Sequence, residues 1–248
     1  MPPYAAAGQP GKITLSTAIL VVVTLGILLF LLILALHVPN GDTRPHAMMT
    51  LMGKLAAGLE NFRGDWGVYP PSTPEPGEGR QYGYQNLVYY LTGPTGQGWG
   101  AAIGGLTPLG GQAPGRTYSP YYTIEPSDRL LEGAGLAVSD LFRSPRRPIL
   151  YFRYDADRDP PCDVRDNPVD PTCEKGFASQ AHFELSITYE TPEGRRKWQR
   201  DDYLLISPGA DRLYGYVIED EATDTMRPAT SAEEVRSGQA TCDDIANF

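Results

Sequence analysis

A long apolar segment, ITLSTAILVVVTLGILLFLLILALHV, occupies residues 13–38. None of its 26 residues is acidic or basic apart from His37. As a helix it would span about 39 Å, and a bilayer core of roughly 30 Å needs about 20 apolar residues. A secretory signal peptide has a shorter apolar region and a small-residue cleavage site. We therefore expect a retained transmembrane helix over 13–38, preceded by a short cytoplasmic head, 1–12.

The composition of the chain excludes one class of partner. The formal net charge is −9 over 248 residues, and the densest basic run, 195–197, is closely followed by Asp201 and Asp202. Nucleic-acid binding needs clustered Lys and Arg that displace counterions from phosphates. We therefore expect no nucleic-acid partner. The 27 Gly and 23 Pro indicate a folded domain that is rich in loops.

A second helix is expected directly after the apolar segment. Pro39 and Gly41 interrupt the first helical pattern. Over 42–64, large apolar residues recur at three- and four-residue spacing, which places them on one helix face: Met48, Leu51, Met52, Leu55, Leu59 and Phe62. Gly64 is a typical helix end. We predict that this apolar face packs against a sheet.

The remaining residues, 65–248, are expected to form one extracytoplasmic globular domain. A short helix is predicted over 84–91, inside a Gly- and Pro-rich insertion at about 71–145. The expected antiparallel meander comprises strands 149–154, 181–189, 203–207 and 214–218. In the second of these, Phe183, Leu185 and Ile187 alternate with polar residues. The predicted fold class is α+β, with a long N-terminal transmembrane helix continuing into an amphipathic helix packed on a small antiparallel β-sheet, and with large loop insertions.

Several short segments carry a family resemblance, in the family's order and spacing. They are ITLSTAILVVVTLGILL (13–29), LENFRGDWGVYPPS (59–72), SPRRPILYFRY (144–154), YLLISPGADRLYG (203–215) and DDIANF (243–248). With them the chain resembles the type IV pilin-like proteins, and most closely the major pseudopilin of type II secretion systems. The resemblance covers somewhat under half of the chain, and the cysteine loop and the insertion fall outside it.

The resemblance implies a structural role and a location. A pseudopilin is a non-enzymatic subunit that joins a filament through its N-terminal helix. It is a single-pass inner-membrane protein with its C-terminal domain in the periplasm, and it undergoes N-terminal processing and methylation. Its partners are like pseudopilin subunits and inner-membrane secretion assembly proteins.

The processing and assembly positions can be carried over residue by residue. Ile13 matches the first mature residue, and Lys12 stands at the cleavage position where the family has Gly. Gly11 lies one residue earlier. Thr17 replaces the Glu that the family uses in subunit assembly. These departures favour an alternative, an uncleaved membrane-anchored relative that does not form filaments.

The family's domain often binds calcium near its C-terminal loop. By resemblance, Asp211 and either Asp243 or Asp244 are the candidate carboxylates, and backbone carbonyls of the loop that begins at Ser207 would complete the oxygen shell. The alternative interpretation is that these Asp residues only solvate a loop.

Other readings of the sequence stay open. The aromatic residues Trp99, Tyr118, Tyr121 and Tyr122 would form the recognition surface of an anchored binding module, or they pack beneath a long loop. An anchored hydrolase would depend on His182 or on a specific carboxylate.

The three cysteines also leave two readings. Cys162 and Cys173 could form a disulfide in an oxidising compartment, with Cys242 as the odd thiol, or all three stay unpaired.

Overall fold

The computed structural model describes residues 23–24, 43–74, 76–100, 107–108, 110, 115–132, 135–142, 145–191, 194–197, 203–220 and 225–246. Contacts divide the chain into two units, 1–43 and 44–248. The predicted cytoplasmic head lies outside the described residues, and so does the predicted transmembrane segment apart from Val23 and Thr24. The fold described below is that of the second unit.

The predicted fold class needs correction. Among the described residues no helix is both long and apolar enough to cross a membrane, and the amphipathic helix begins afresh at Arg44. The predicted single sheet is also wrong, because the described strands form five separate antiparallel sheets, four of two strands and one of three. Strands of only two to five residues between Gly- and Pro-rich connections do not extend into one larger sheet. The α+β class with antiparallel pairing is correct.

The described elements follow each other in this order. The helices are α1 (Arg44–Trp66), α2 (Gly83–Thr92), α3 (Gln180–Ser186) and α4 (Ala232–Arg236). The strands are β1 (Trp99–Gly100), β2 (Thr117–Tyr118), β3 (Arg129–Glu132), β4 (Gly135–Val138), β5 (Leu150–Arg153), β6 (Thr188–Thr191), β7 (Gly194–Lys197), β8 (Tyr203–Ser207), β9 (Val217–Asp220), β10 (Thr225–Pro228) and β11 (Ile245–Ala246).

Helix α1 buries the face that its apolar spacing predicts. Its buried residues include all six of the predicted stripe: Met48, Leu51, Met52, Leu55, Leu59 and Phe62. The predicted end at Gly64 is wrong, since the helix continues to Trp66. There Gly67 adopts a φ of 77°, and its N–H donates to the carbonyl of Arg63 at 2.7 Å. This left-handed residue satisfies a terminal carbonyl and ends the helix.

The three-stranded sheet lies at the centre of the domain, with the strand order β11-β8-β5. Successive side chains of a strand point to opposite faces. In the two longer strands, β5 and β8, side chains on both faces are buried. Tyr151, Tyr203 and Leu205 join the core that includes α1. The intervening residues join a second core that includes Phe183 of α3. The predicted strands 149–154 and 203–207 and the predicted helix 84–91 are confirmed as β5, β8 and α2.

Two predicted strands are wrong. Residues 181–186 of the predicted strand 181–189 lie in helix α3, which the Ser179 hydroxyl caps by accepting the N–H of His182 at 3.1 Å. Phe183 and Ile187 are both buried, a four-residue spacing that suits a helix turn as well as strand alternation. The predicted strand 214–218 starts later, as β9, and pairs with β10. Strand β11 takes its place in the central sheet.

Candidate functional site

The predicted calcium ligands meet at one end of the central sheet. Strand β11 pairs with β8 so that Ile245 lies opposite Ser207. This register brings Asp243 and Asp244, which precede β11, beside the loop that follows β8. Asp211 lies in that loop. We call residues 207–215 together with 243–244 the acidic loop.

Each carboxylate of the acidic loop accepts backbone N–H groups. Asp243 Oδ2 accepts from Ala210 N at 2.7 Å and from Asp211 N at 3.0 Å. Asp244 Oδ2 accepts from Gly215 N at 2.8 Å. Asp211 Oδ1 accepts from Leu213 N at 2.8 Å. These bonds fix the C-terminal segment to the loop, because residues about 30 positions apart in the chain are tied at three points.

The acidic loop requires a glycine where its backbone comes closest to Asp243. Gly209 has a φ of 67°, and a Cβ there would lie 2.2 Å from the carbonyl oxygen of Asp243. Arg212 also adopts a positive φ, 64°. A side chain disfavours that left-handed conformation by roughly 1–2 kcal/mol.

The carboxylates lie close together, with Asp211 and Asp243 exposed and Asp244 half-buried. Burial raises the pKa of Asp211 to about 7, and the neighbouring Asp243 carboxylate adds to the rise. Burial also raises the pKa of Asp244 well above its ordinary value, and the charges of Asp211 and Asp243 raise it further. A hard cation placed among these groups would reverse the rise, because a positive charge favours the ionised carboxylates.

Two buried oxygens of the acidic loop have no hydrogen-bond partner among the described residues. They are Ser207 Oγ and Asp244 Oδ1, and the Ser207 side chain is fully buried. Buried polar atoms are normally satisfied. The donor set is entirely oxygen, which suits calcium, a cation that takes six to eight oxygen ligands. As the side chains stand, no group of three or more His, Cys, Asp or Glu in the described part is close enough together to hold a metal ion.

The cysteines of the described domain form no disulfide. Cys173 is buried, with its sulfur 3.8 Å from Nδ1 of His182, whereas the Cys162 sulfur lies 3.8 Å from the carbonyl oxygen of Arg153. The possible Cys162–Cys173 disulfide is not formed in this structure, since the two sulfurs contact different parts of the fold. Burial raises the pKa of Cys173 to about 12, so this thiol stays protonated and is a poor nucleophile.

His182 is held by backbone groups on both ring nitrogens. Nδ1 accepts from Ala178 N at 3.3 Å, so the ring proton belongs on Nε2, which contacts the carbonyl oxygen of Tyr216 at 2.7 Å. Burial lowers the pKa of His182, which favours the neutral ring. A Cβ at Gly215 would lie 2.8 Å from this ring. His182 therefore packs beneath the acidic loop and ties α3 to it.

The aromatic residues considered as a recognition surface mostly pack inside the domain. Trp99 and Tyr122 are buried in the same core as α1. The Trp66 ring packs on Tyr118 with centroids 4.6 Å apart, and Trp66 Nε1 donates to the Tyr121 hydroxyl at 2.8 Å. These contacts fasten the insertion to the end of α1.

Sequence reasoning missed a buried polar network beside the central sheet. Asp166 is fully buried and accepts from the Ser72 hydroxyl at 2.5 Å and from Arg158 at 2.9 Å. No spacing in the sequence connects these residues, since Ser72 and Asp166 are 94 positions apart. The network joins the segment after α1 to the loop that follows β5.

The processing and assembly positions Gly11, Lys12, Ile13 and Thr17 lie outside the described residues. Comparisons with family models, with curated proteins and with solved structures find no match to the chain. The function is therefore argued from the residues and contacts of this chain.

Proposed function

We propose that this protein is a non-enzymatic, pseudopilin-like structural subunit of a type II secretion or type IV pilus-like assembly. Its partners would be like subunits and inner-membrane assembly proteins. Residues 44–248 would lie in the periplasm, and the apolar segment 13–38 would attach the chain to the inner membrane.

One observation carries the proposal, the return of the DDIANF segment to helix α1. Strand β11, from the DDIANF segment, pairs with β8 and contacts α1, and Ile245 packs against the core that includes α1. A domain built on the helix that follows the apolar segment, with β11 packed against that helix, suits a subunit that transmits force along it.

The YP segment that carries part of the resemblance supports the same architecture. The Tyr69 ring packs on Tyr203 of β8 with centroids 4.9 Å apart, and the Tyr69 hydroxyl donates to Glu60 of α1 at 2.8 Å. The Tyr151 hydroxyl of β5 donates to the carbonyl of Pro70 at 2.7 Å. The turn after α1 is thus attached both to the helix and to the sheet.

Calcium is the ion we propose for the acidic loop. Asp211, Asp243 and Asp244 would hold it, with Ser207 at the start of the loop. The raised carboxyl pKa values and the unsatisfied oxygens support a cation there. Bound calcium would neutralise the repulsion between the carboxylates and hold the C-terminal segment against the sheet.

Fractionation of cells that express the full-length chain tests the proposal. Surface filaments and secretion complexes are sheared or solubilised, and the chain is followed by immunoblotting beside an unrelated inner-membrane protein with one apolar segment. We expect this chain in the filament or complex fraction and the control protein in the membrane fraction alone. Co-fractionation of both proteins as membrane monomers would contradict the proposal.

A further inference from the structure

One face of helix α3 holds both backbone groups of Tyr216. The Nε2–H of His182 donates to the carbonyl oxygen of Tyr216 at 2.7 Å. The N–H of Tyr216 donates to the Ser186 hydroxyl at 3.3 Å. His182 and Ser186 are four residues apart and therefore neighbours on the helix surface, and the Ser186 hydroxyl also donates to the carbonyl oxygen of His182 at 3.0 Å. The backbone at Tyr216 is thus fixed by two side chains of α3.

Gly215 connects this contact with the acidic loop. Its N–H donates to Asp244 Oδ2 at 2.8 Å. Its φ is 85°, and an added Cβ would lie 2.5 Å from the Ser186 hydroxyl and 2.8 Å from the His182 ring. The backbone therefore approaches α3 more closely here than a side chain would allow. A displacement of the backbone at Tyr216 would displace the neighbouring Gly215 N–H and the carboxylate that it holds.

The orientation of Asp244 matters for a cation in the acidic loop. Its Oδ2 accepts from Gly215, whereas its Oδ1 is buried and has no hydrogen-bond partner among the described residues. A buried oxygen without a partner is available to a cation that binds oxygen ligands. Because the two oxygens belong to one carboxylate, the N–H that holds Oδ2 also sets the direction of Oδ1.

The loop before α3 holds the preceding residue, Tyr214, independently of the imidazole. The N–H of Tyr214 donates to the carbonyl oxygen of Cys173 at 2.9 Å. The Tyr214 side chain is fully buried, and its ring centroid lies 5.9 Å from that of Phe177. Loss of the His182 side chain is therefore expected to loosen Gly215 and Tyr216 while Tyr214 stays in place.

We propose that His182 is a positioning residue for the calcium site of the acidic loop. The imidazole does not touch the ion. It fixes the carbonyl of Tyr216 and thereby the N–H of Gly215, which orients Asp244. Residues that orient the ligands of a metal ion contribute to its affinity without contacting it. This inference rests on the calcium binding proposed above, and it extends the site to helix α3.

Calcium titration of the full-length protein in detergent tests this role. The chain is freed of calcium with a chelator and titrated by calorimetry at pH 8, at a temperature where circular dichroism shows each variant folded. His182→Leu removes the Nε2 donor and should weaken calcium binding about tenfold. His182→Gln keeps a donor of similar reach and should bind calcium within about twofold of the wild type.

Two further variants separate positioning from stability. Phe183→Leu is the matched control on α3, because the Phe183 ring is fully buried and packs on Phe152 of β5 with centroids 4.6 Å apart. It should lower the melting temperature and leave the calcium affinity unchanged. Ser186→Ala removes the longer of the two contacts to Tyr216 and should weaken calcium binding about threefold. Ser186→Ala becomes the deciding variant if His182→Leu does not fold.

Unchanged calcium affinity in the deciding variant would overturn the inference. So would an equal loss of affinity in Phe183→Leu or in His182→Gln, because the effect would then follow stability or the loss of the ring rather than the donor. A wild type that binds no calcium would overturn the inference together with the calcium site. The pseudopilin-like role is judged separately, by the fractionation described above.

Discussion

Gly209 lies where the acidic loop crosses Asp243, with a φ of 67° and space for no Cβ. Gly209→Ala should therefore lower the free energy of unfolding by about 2–4 kcal/mol, from the left-handed conformation and the steric overlap together. Urea denaturation of the full-length chain measures this. The control is Gly53→Ala on the exposed face of α1, where nothing lies within 4 Å of the added methyl group.

The control should change stability in the opposite direction. Alanine favours a helix over glycine by about 0.8–1 kcal/mol, so Gly53→Ala should stabilise the protein slightly. Equal effects at the two glycines would contradict the close approach of the loop to Asp243.

The raised pKa of the Asp211 carboxyl predicts how the stability of the protein depends on pH. Its pKa rises from the ordinary 3.8 to about 7 in the folded protein. A group with a raised folded pKa contributes stability that is fully present below the unfolded pKa and is lost as pH rises through the folded pKa. The unfolding free energy of the wild type, relative to Asp211→Asn, should therefore fall between about pH 4 and pH 7. Thermal melts at several pH values measure the difference.

Calcium should offset that loss of stability in the wild type. Added calcium binds the ionised carboxylates, so the melting temperature should rise more at pH 8 than at pH 5. Asp211→Asn should weaken the response to calcium, and magnesium serves as the control ion. A calcium response that is equal at both pH values, or unchanged in Asp211→Asn, would contradict a site in the acidic loop.

At the scale of the elements, helix α1 depends on one buried stripe. Leu59 is fully buried in the core that includes the central sheet. Leu59→Ala should lower the free energy of unfolding by about 2–5 kcal/mol through lost burial and a cavity. Lys54→Ala, on the exposed side of the same helix, should change it by less than about 0.5 kcal/mol. Chemical denaturation followed by circular dichroism compares the two variants.

The elements differ in how far their sequence determines them. The stripe of α1 has a clear helical period over 15 residues, Met48–Phe62, and long periodic patterns are reliable. Residues 180–187 are too short for that, and Phe183 and Ile187 fit both periods. The hydrogen bond by which Ser179 caps the N-terminus of α3 favours the helix. Such a side-chain hydrogen bond is easily missed in a segment where apolar and polar residues alternate.

At the scale of the whole molecule, the acidic loop depends on contacts distant in sequence. Asp211 and Asp243 meet because β11 pairs with β8, whereas β9, which is nearer to β8 in the chain, pairs with β10. Local patterns do not determine which strand completes the sheet, so the site could be expected only from the family resemblance.

The N-terminus of the chain in the filament or complex fraction tests the pseudopilin-like role most directly. Intact-mass spectrometry and N-terminal sequencing of that fraction decide which residue the chain begins with. The role predicts a processed chain that starts at Ile13 or Lys12. An intact chain that begins at Met1 or Pro2, found in membrane monomers alone, would contradict it.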